Sequence, residues 1–185
     1  MPESERAIPA LFFAILSKLD VLYTYTGDCS LKITAQKLTN KDQTGKAMNR
    51  LIDQYSNDLR EVMIRRNGKI VPLTSLNIME FFDLIRRIPY RQDIKPIEVI
   101  SRPNGILKNS FLGMDCKKKA ILIASYFKNR QIPCRLIASS KKKNRRIHHV
   151  FPQIELAGKW LNVDATYSHY KPFEPKALTR AEVLK

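Results

Sequence analysis

Apolar positions along the chain recur first at helical and later at strand-like spacing. Residues 5–20 carry an amphipathic apolar stretch, and Ala47, Leu51, Ile52, Tyr55, Leu59 and Val62 fall near a helical period. Helices are therefore predicted over 5–20 and 41–60. Asn67-Gly68 stands between the apolar runs Val62-Met63-Ile64 and Ile70-Val71. That dipeptide accepts positive φ at two successive positions, so it predicts a hairpin near 62–71. Residues 75–87 read as a further helix, stopped by Pro89, which has no amide hydrogen to continue it.

The character changes at Pro89. Residues 89–104, punctuated by Pro89, Pro96 and Pro103, read as extended. Residues 115–130 then predict a helix. Its run Ala120-Ile121-Leu122-Ile123-Ala124-Ser125-Tyr126-Phe127 is apolar almost all round, as in a central helix packed on more than one side. Strands are predicted over 134–139, 148–156 and 160–166, the last two joined by a tight turn at Ala157-Gly158-Lys159. A buried helix followed by an antiparallel meander is an α+β order. The expected organisation is a mainly helical accessory region over 1–88, with its hairpin near 62–71, and a core over 89–185 in which the central helix packs on an antiparallel sheet.

Composition adds a charge bias to this picture. Hydrophobic residues make up 44% of the 185 and charged residues 27%, a balance that supports an apolar core. Lys and Arg number 33 against 17 Asp and Glu, giving +16. Such an excess favours an anionic partner, nucleic acid or an acidic surface. Eleven of the cations lie between residues 116 and 146, where there is no Asp or Glu. Lys117, Lys118, Lys141, Lys142, Lys143, Arg145 and Arg146 are the expected anion-binding surface. If nucleic acid binds there, the contacts go to phosphate and read no sequence.

No apolar stretch approaches the ~20 residues of a membrane span. The start, Met1 to Arg6, lacks the basic residues and long apolar run of a secretory signal, so the expected location is cytoplasmic. The three cysteines, Cys29, Cys116 and Cys134, are odd in number and none stands in a C-x-x-C pair. A disulfide framework and a cysteine-only zinc site are not expected, and neither a metal nor a cofactor is required.

One constellation carries chemistry. A cysteine attacks a carbonyl as thiolate, so the thiol needs a setting that favours negative charge. In Gly113-Met114-Asp115-Cys116, Gly113 suits a tight turn and Asp115 an N-cap. Cys116 then falls in the first helical turn, where exposed amide dipoles favour an anion and offer donors to an oxyanion. The base should be a histidine fixed by a third group. His149 begins the strand before the turn at Gly158, and Asp164 lies 15 residues on, after it. A hairpin centred there pairs positions whose numbers sum to roughly 315, which sets His149 nearly opposite Asp164. Alternation sends His148 to the other face. Cys29, in Gly27-Asp28-Cys29, has no such partners; Cys134 is expected in the core and His169 at the surface.

The residues that carry this constellation also carry a resemblance. Gly113-x-Asp115-Cys116-x-x-Lys119-Ala120, Gln131-Ile132-Pro133-Cys134-Arg135, His149-Val150-Phe151, Gly158-Lys159-Trp160 and Asp164-Ala165-Thr166, in that order, resemble the core of the transglutaminase-like superfamily of papain-like cysteine enzymes. Pro89-Tyr90-Arg91-x-Asp93 and Glu98-Val99-Ile100-x-x-Pro103 are similar to small transglutaminase-like proteins of tailed phages and prophages. The resemblance covers about half the chain and implies a papain-like α+β core. It implies Cys116 as nucleophile, His149 as general base and acid and Asp164 as orienting carboxylate. It also implies acyl transfer from a protein or peptide substrate through a thioester, ending in hydrolysis or crosslinking. Asn109, Tyr90 and Trp160 are candidates for the oxyanion or supporting groups. The phage likeness carries an alternative, a virion-associated structural or binding protein on the same fold. Many relatives follow the cysteine with acidic residues, whereas Lys117 and Lys118 stand here, so a positive site is expected.

Overall fold

The computed structural model describes residues 24–25, 40–93, 99–140, 147–176, 178 and 180–185. The helix expected over 5–20, Cys29 and the basic run 141–146 lie outside the described residues. Among the described residues no helix is long and apolar enough to cross a membrane.

The elements follow in the order β1 (Thr24–Tyr25), α1 (Lys41–Tyr55), β2 (Val62–Arg66), β3 (Lys69–Pro72), α2 (Ile78–Arg87), α3 (Pro103–Lys108), α4 (Cys116–Asn129), β4 (Cys134–Ser140), β5 (His149–Leu156), β6 (Lys159–Asn162) and β7 (Arg180–Val183). The class is α+β, with helices before a four-stranded antiparallel sheet of order β6-β5-β4-β7. A smaller sheet, β1-β2-β3, stands in the helical region.

Local chemistry explains the starts and stops. Asn40 caps α1 by accepting from Gln43 N at 2.9 Å. Asn77 and Glu80 form a reciprocal capping box at the start of α2, each side chain accepting from the other's backbone N–H. That helix buries Phe81, Phe82, Leu84 and Ile85 and ends before Pro89. Both two-residue hairpin turns have two successive positive φ values, 51° and 76° at Asn67-Gly68 and 51° and 73° at Ala157-Gly158. These are primed turns, whose twist matches that of the strands they join.

α4 is the central element. It touches α1, α2 and α3 as well as β4 and β5, which is why Ala120 through Phe127 are all buried. Tyr126 stacks on Phe81 with centroids 4.1 Å apart, and its hydroxyl donates to Leu76 O at 2.6 Å. Burying side chains of this size is worth about 1.5–3 kcal/mol each. Met48, Phe81 and Phe82 share one apolar cluster with Ile121, Leu136, Ile154 and Val163, so residues on either side of position 88 pack into a single core.

Three details differ from the sequence reading. Pro103 does not continue an extended segment; it is the first residue of α3, where its missing N–H costs nothing. β6 stops at Asn162 rather than running to 166. Val163 N still donates to Pro152 O, but Pro152 has no N–H to return the bond, and Asn162 O, on the outer edge, accepts from Phe173 N at 2.7 Å. The edge strand β7, four residues with two charges, was not anticipated.

Candidate active site

Cys116 reaches its position through a tight pairing just before α4. Met114 N donates to Pro89 O at 2.9 Å and Arg91 N to Met114 O at 3.1 Å, so residues 89–91 lie beside 113–114. Gly113 makes this possible. Its φ is +83°, and a Cβ there would stand 2.8 Å from Arg91 Cβ and 3.0 Å from Pro89 O. Asp115 is the N-cap, accepting from Lys118 N at 3.0 Å. Cys116 is therefore the first residue of a 14-residue helix, and only 7% exposed.

β5 brings His149 to that helix end. Its register with β6 pairs Leu156 with Lys159 and Gln153 with Asn162, positions that sum to 315. Beyond the last pair, Val163 N still donates to Pro152 O at 2.9 Å, and the chain then carries Asp164 alongside His149. His149 Nε2 and Asp164 Oδ2 are 2.7 Å apart. After Asp164, Cys116 is the side chain that acts most strongly on the imidazole, which sets the thiol beside His149. The imidazole stacks on Phe151 at 5.7 Å, two residues along the same strand face. His148 is exposed, as strand alternation requires.

The electrostatics follow from this contact set. Burial alone lowers the affinity of His149 for a proton. The hydrogen bond to Asp164, the nearby Cys116 and the Asp164 charge outweigh it and carry the imidazole up to about 9. Burial likewise raises the Asp164 carboxyl. The hydrogen bond and charge of His149, then Lys176 and the Thr166 N–H, overcome that and bring it down to about 2. The imidazole therefore holds its proton firmly against the Asp164 carboxylate, with Cys116 beside it.

Two further lysines belong to the site, and neither is among the residues expected there from sequence. Lys119, one turn after Cys116, is 1% exposed. Its Nζ donates to Ile88 O at 2.6 Å, Ala165 O at 3.1 Å and Thr166 O at 3.2 Å, with Arg86 O at 3.4 Å. Burial pushes it down to about 8, a fall that the nearby Asp164 charge limits. Lys176 Nζ lies 2.7 Å from Asp164 Oδ2. The signal for Lys119 was its place in Asp115-Cys116-x-x-Lys119; for Lys176 there was none.

The other candidates are placed as follows. Tyr90 pairs with Met114, and its hydroxyl is pushed up to about 12, first by burial and next by the charge of Cys116. Asn109 donates from its side chain to Gly105 O of its own helix at 2.9 Å. It lines a cavity of about 420 Å³ with Arg91, Asp93, Gly113 and Lys118, beside the N-terminus of α4. Trp160 is not in the site. It stands opposite Glu155, six residues from His149, or roughly 20 Å along the strand, with the Arg135 guanidinium 4.0 Å over its ring.

The positive setting expected around the thiol is also revised. Lys117 pairs with Asp115 at 2.5 Å and Lys118 pairs with Asp93, both lysine side chains being only 15% exposed. Neither presents an open cation beside Cys116. Lys141, Lys142, Lys143, Arg145 and Arg146 lie outside the described residues. Cys134, half-buried on β4, has its thiol pushed up to about 12 by burial.

No protein-family model matches the chain, and no curated protein matches it in sequence. Among solved structures it is similar to a "putative cysteine protease" from Cytophaga hutchinsonii, with 14% identity and a TM-score of 0.39 over 81% of this chain and 46% of that one. The chain thus spans less than half the length of that protein.

Proposed function

We propose that this protein is a transglutaminase-like thiol acyl-transfer enzyme in which Cys116 is the nucleophile, His149 the general base and acid, and Asp164 the orienting carboxylate. The observation that carries the reading is the bridging imidazole. His149 Nε2 stands 2.7 Å from Asp164 Oδ2, and Cys116 is close enough to the same imidazole to raise its hold on a proton. A nucleophile, a base and an orienting group in that order are what covalent acyl transfer requires.

The chemistry runs in two halves. The neutral form of His149 takes the Cys116 thiol proton, and Sγ bonds to the carbonyl carbon of an amide or ester. Collapse of the tetrahedral intermediate breaks the bond to the leaving amine or alkoxide, which takes the proton from His149. In the second half, water or an amine attacks the thioester carbon and gives its proton to His149. The carbon–sulfur bond breaks, and that proton returns to sulfur. Oxyanion donors come from the first-turn amides of α4 and from the Tyr90 hydroxyl, which stays protonated because its pKa is near 12. A protein or peptide carbonyl is the substrate class that the resemblance to transglutaminase-like enzymes implies.

p-Nitrophenyl acetate tests this. A burst of one equivalent of nitrophenolate is expected, absent in Cys116→Ala and strongly slowed in His149→Ala. An undiminished burst in Cys116→Ala overturns the proposal.

A further inference from the structure

Lys176 lies in the segment between β6 and β7, twelve residues beyond Asp164. Its Nζ is 2.7 Å from Asp164 Oδ2, the same oxygen that faces His149 Nε2 at 2.7 Å. The ammonium also sits 3.4 Å from the centroid of the Tyr170 ring and 5.4 Å from that of Phe151. Phe151 in turn stacks on His149. The lysine side chain is 14% exposed and the carboxylate 1%. Cation, carboxylate, imidazole and two rings therefore form one packed group, with the ammonium held by a charge and by two aromatic faces.

We infer that Lys176 is a positioning residue that shares Asp164 Oδ2 with His149 and thereby sets how tightly the imidazole holds its proton. The inference rests on the thiol acyl-transfer reading. A lone carboxylate behind the imidazole, in a site this dry, attracts the imidazolium with little screening. A base held that firmly in its protonated form is poor at taking a proton from water. Lys176 offsets the carboxylate charge while leaving the hydrogen bond in place. The imidazole then meets a fixed acceptor with a weaker net pull.

Among the described residues, the groups facing His149 are few. Cys116 comes from α4, Asp164 and Tyr167 from the segment after β6, and Lys176 from the segment before β7. Tyr90 and Lys119 stand behind them, Tyr90 near Cys116 and Lys119 near Asp164. The Lys119 ammonium is directed at four backbone carbonyls, whereas Lys176 is bound to the oxygen that His149 uses. In the second half-reaction the sulfur is acylated and its charge is gone. Among the described residues, Lys176 and Asp164 are then the main charges acting on the base.

The imidazole titration of His149 tests this by NMR in a Cys116→Ala background, which removes the thiolate; the chain has only three histidines to assign. Adding Lys176→Met should raise the His149 midpoint by about one pH unit, while Lys176→Arg stays near the parent. With Cys116 present, Lys176→Met should slow thioester hydrolysis about tenfold at pH 7 and move its pH profile upward by the same unit. Lys176→Gln keeps a donor without the charge and carries the test if the Met variant does not fold. A midpoint that is unmoved or lowered in a folded neutral variant overturns the inference. A midpoint that moves in a protein that forms no thioester overturns the acyl-transfer reading and leaves the Lys176 assignment standing.

Discussion

Lys119 and Ala165 are joined by a hydrogen bond of 3.1 Å from the ammonium to the carbonyl. Lys119 follows Cys116 by one helical turn, and Ala165 follows Asp164 by one residue. This buried contact ties the helix that begins at Cys116 to the segment that carries Asp164. The bond to Thr166 O reinforces that tie, and the bonds to the Arg86 and Ile88 carbonyls extend it to the end of α2.

Lys119→Met should therefore be costly although it removes a charge from the core. It leaves buried carbonyls without donors, each worth about 1–3 kcal/mol. We expect a loss on the order of 3 kcal/mol in urea unfolding and a matching fall in the rate of Cys116 acylation. Wild-type stability in this variant would mean that other donors satisfy those carbonyls.

Gly113→Ala tests the turn before Cys116. The added methyl needs a left-handed backbone and meets Arg91 Cβ and Pro89 O at 3.0 Å or less. The strain, roughly 1–3 kcal/mol, is relieved only by moving residues 89–91 or the start of α4. Reduced stability and slower thiol labelling are expected together. Labelling at the parent rate would show that the pairing of 89–91 with 113–114 does not position Cys116.

The His149–Asp164 pair gives stability a defined pH window. His149 is raised from 6.5 to about 9, so its contribution is full below 6.5 and is lost as pH rises through 9. Asp164 is lowered from 3.8 to about 2, so its contribution is present above 3.8 and is lost as pH falls through 2. These are two views of one interaction, worth roughly 2 kcal/mol. The stability difference between the parent and Asp164→Asn should be largest between about pH 4 and pH 6.5 and should shrink on both sides. A difference independent of pH would contradict the assigned charge states.

Much of this site is legible in the chain. Asp115-Cys116 before an apolar run specifies a capped helix, and Ala157-Gly158 fixes a hairpin register that takes Asp164 to His149. Both signals are local, set by backbone conformation within a few residues. What escaped reading depends on distant partners. Lys117 and Lys118 looked like an open positive surface, but Lys118 meets Asp93 from 25 residues upstream. Lys176 lies beyond an irregular stretch whose course is set by bonds such as Phe173 N to Asn162 O. Trp160, inside a matching motif, was placed beside the site by resemblance, whereas the strand carries it to the far end of the hairpin.

The two described thiols should differ in reactivity. With its thiol pushed up to about 12, Cys134 is about one part in ten thousand thiolate at pH 8. Limiting iodoacetamide followed by peptide mapping should find the label on Cys116 and not on Cys134. Preferential labelling of Cys134 would contradict the placement of both residues.

The most direct test of acyl transfer is the covalent intermediate itself. The protein, quenched in acid during turnover of an activated acyl ester, should gain the mass of one acyl group. Peptide mapping should place that group on Cys116 as a hydroxylamine-labile thioester, absent from Cys116→Ala and accumulating slowly in His149→Ala. An acyl group found elsewhere, or formed equally fast without His149, would contradict the account.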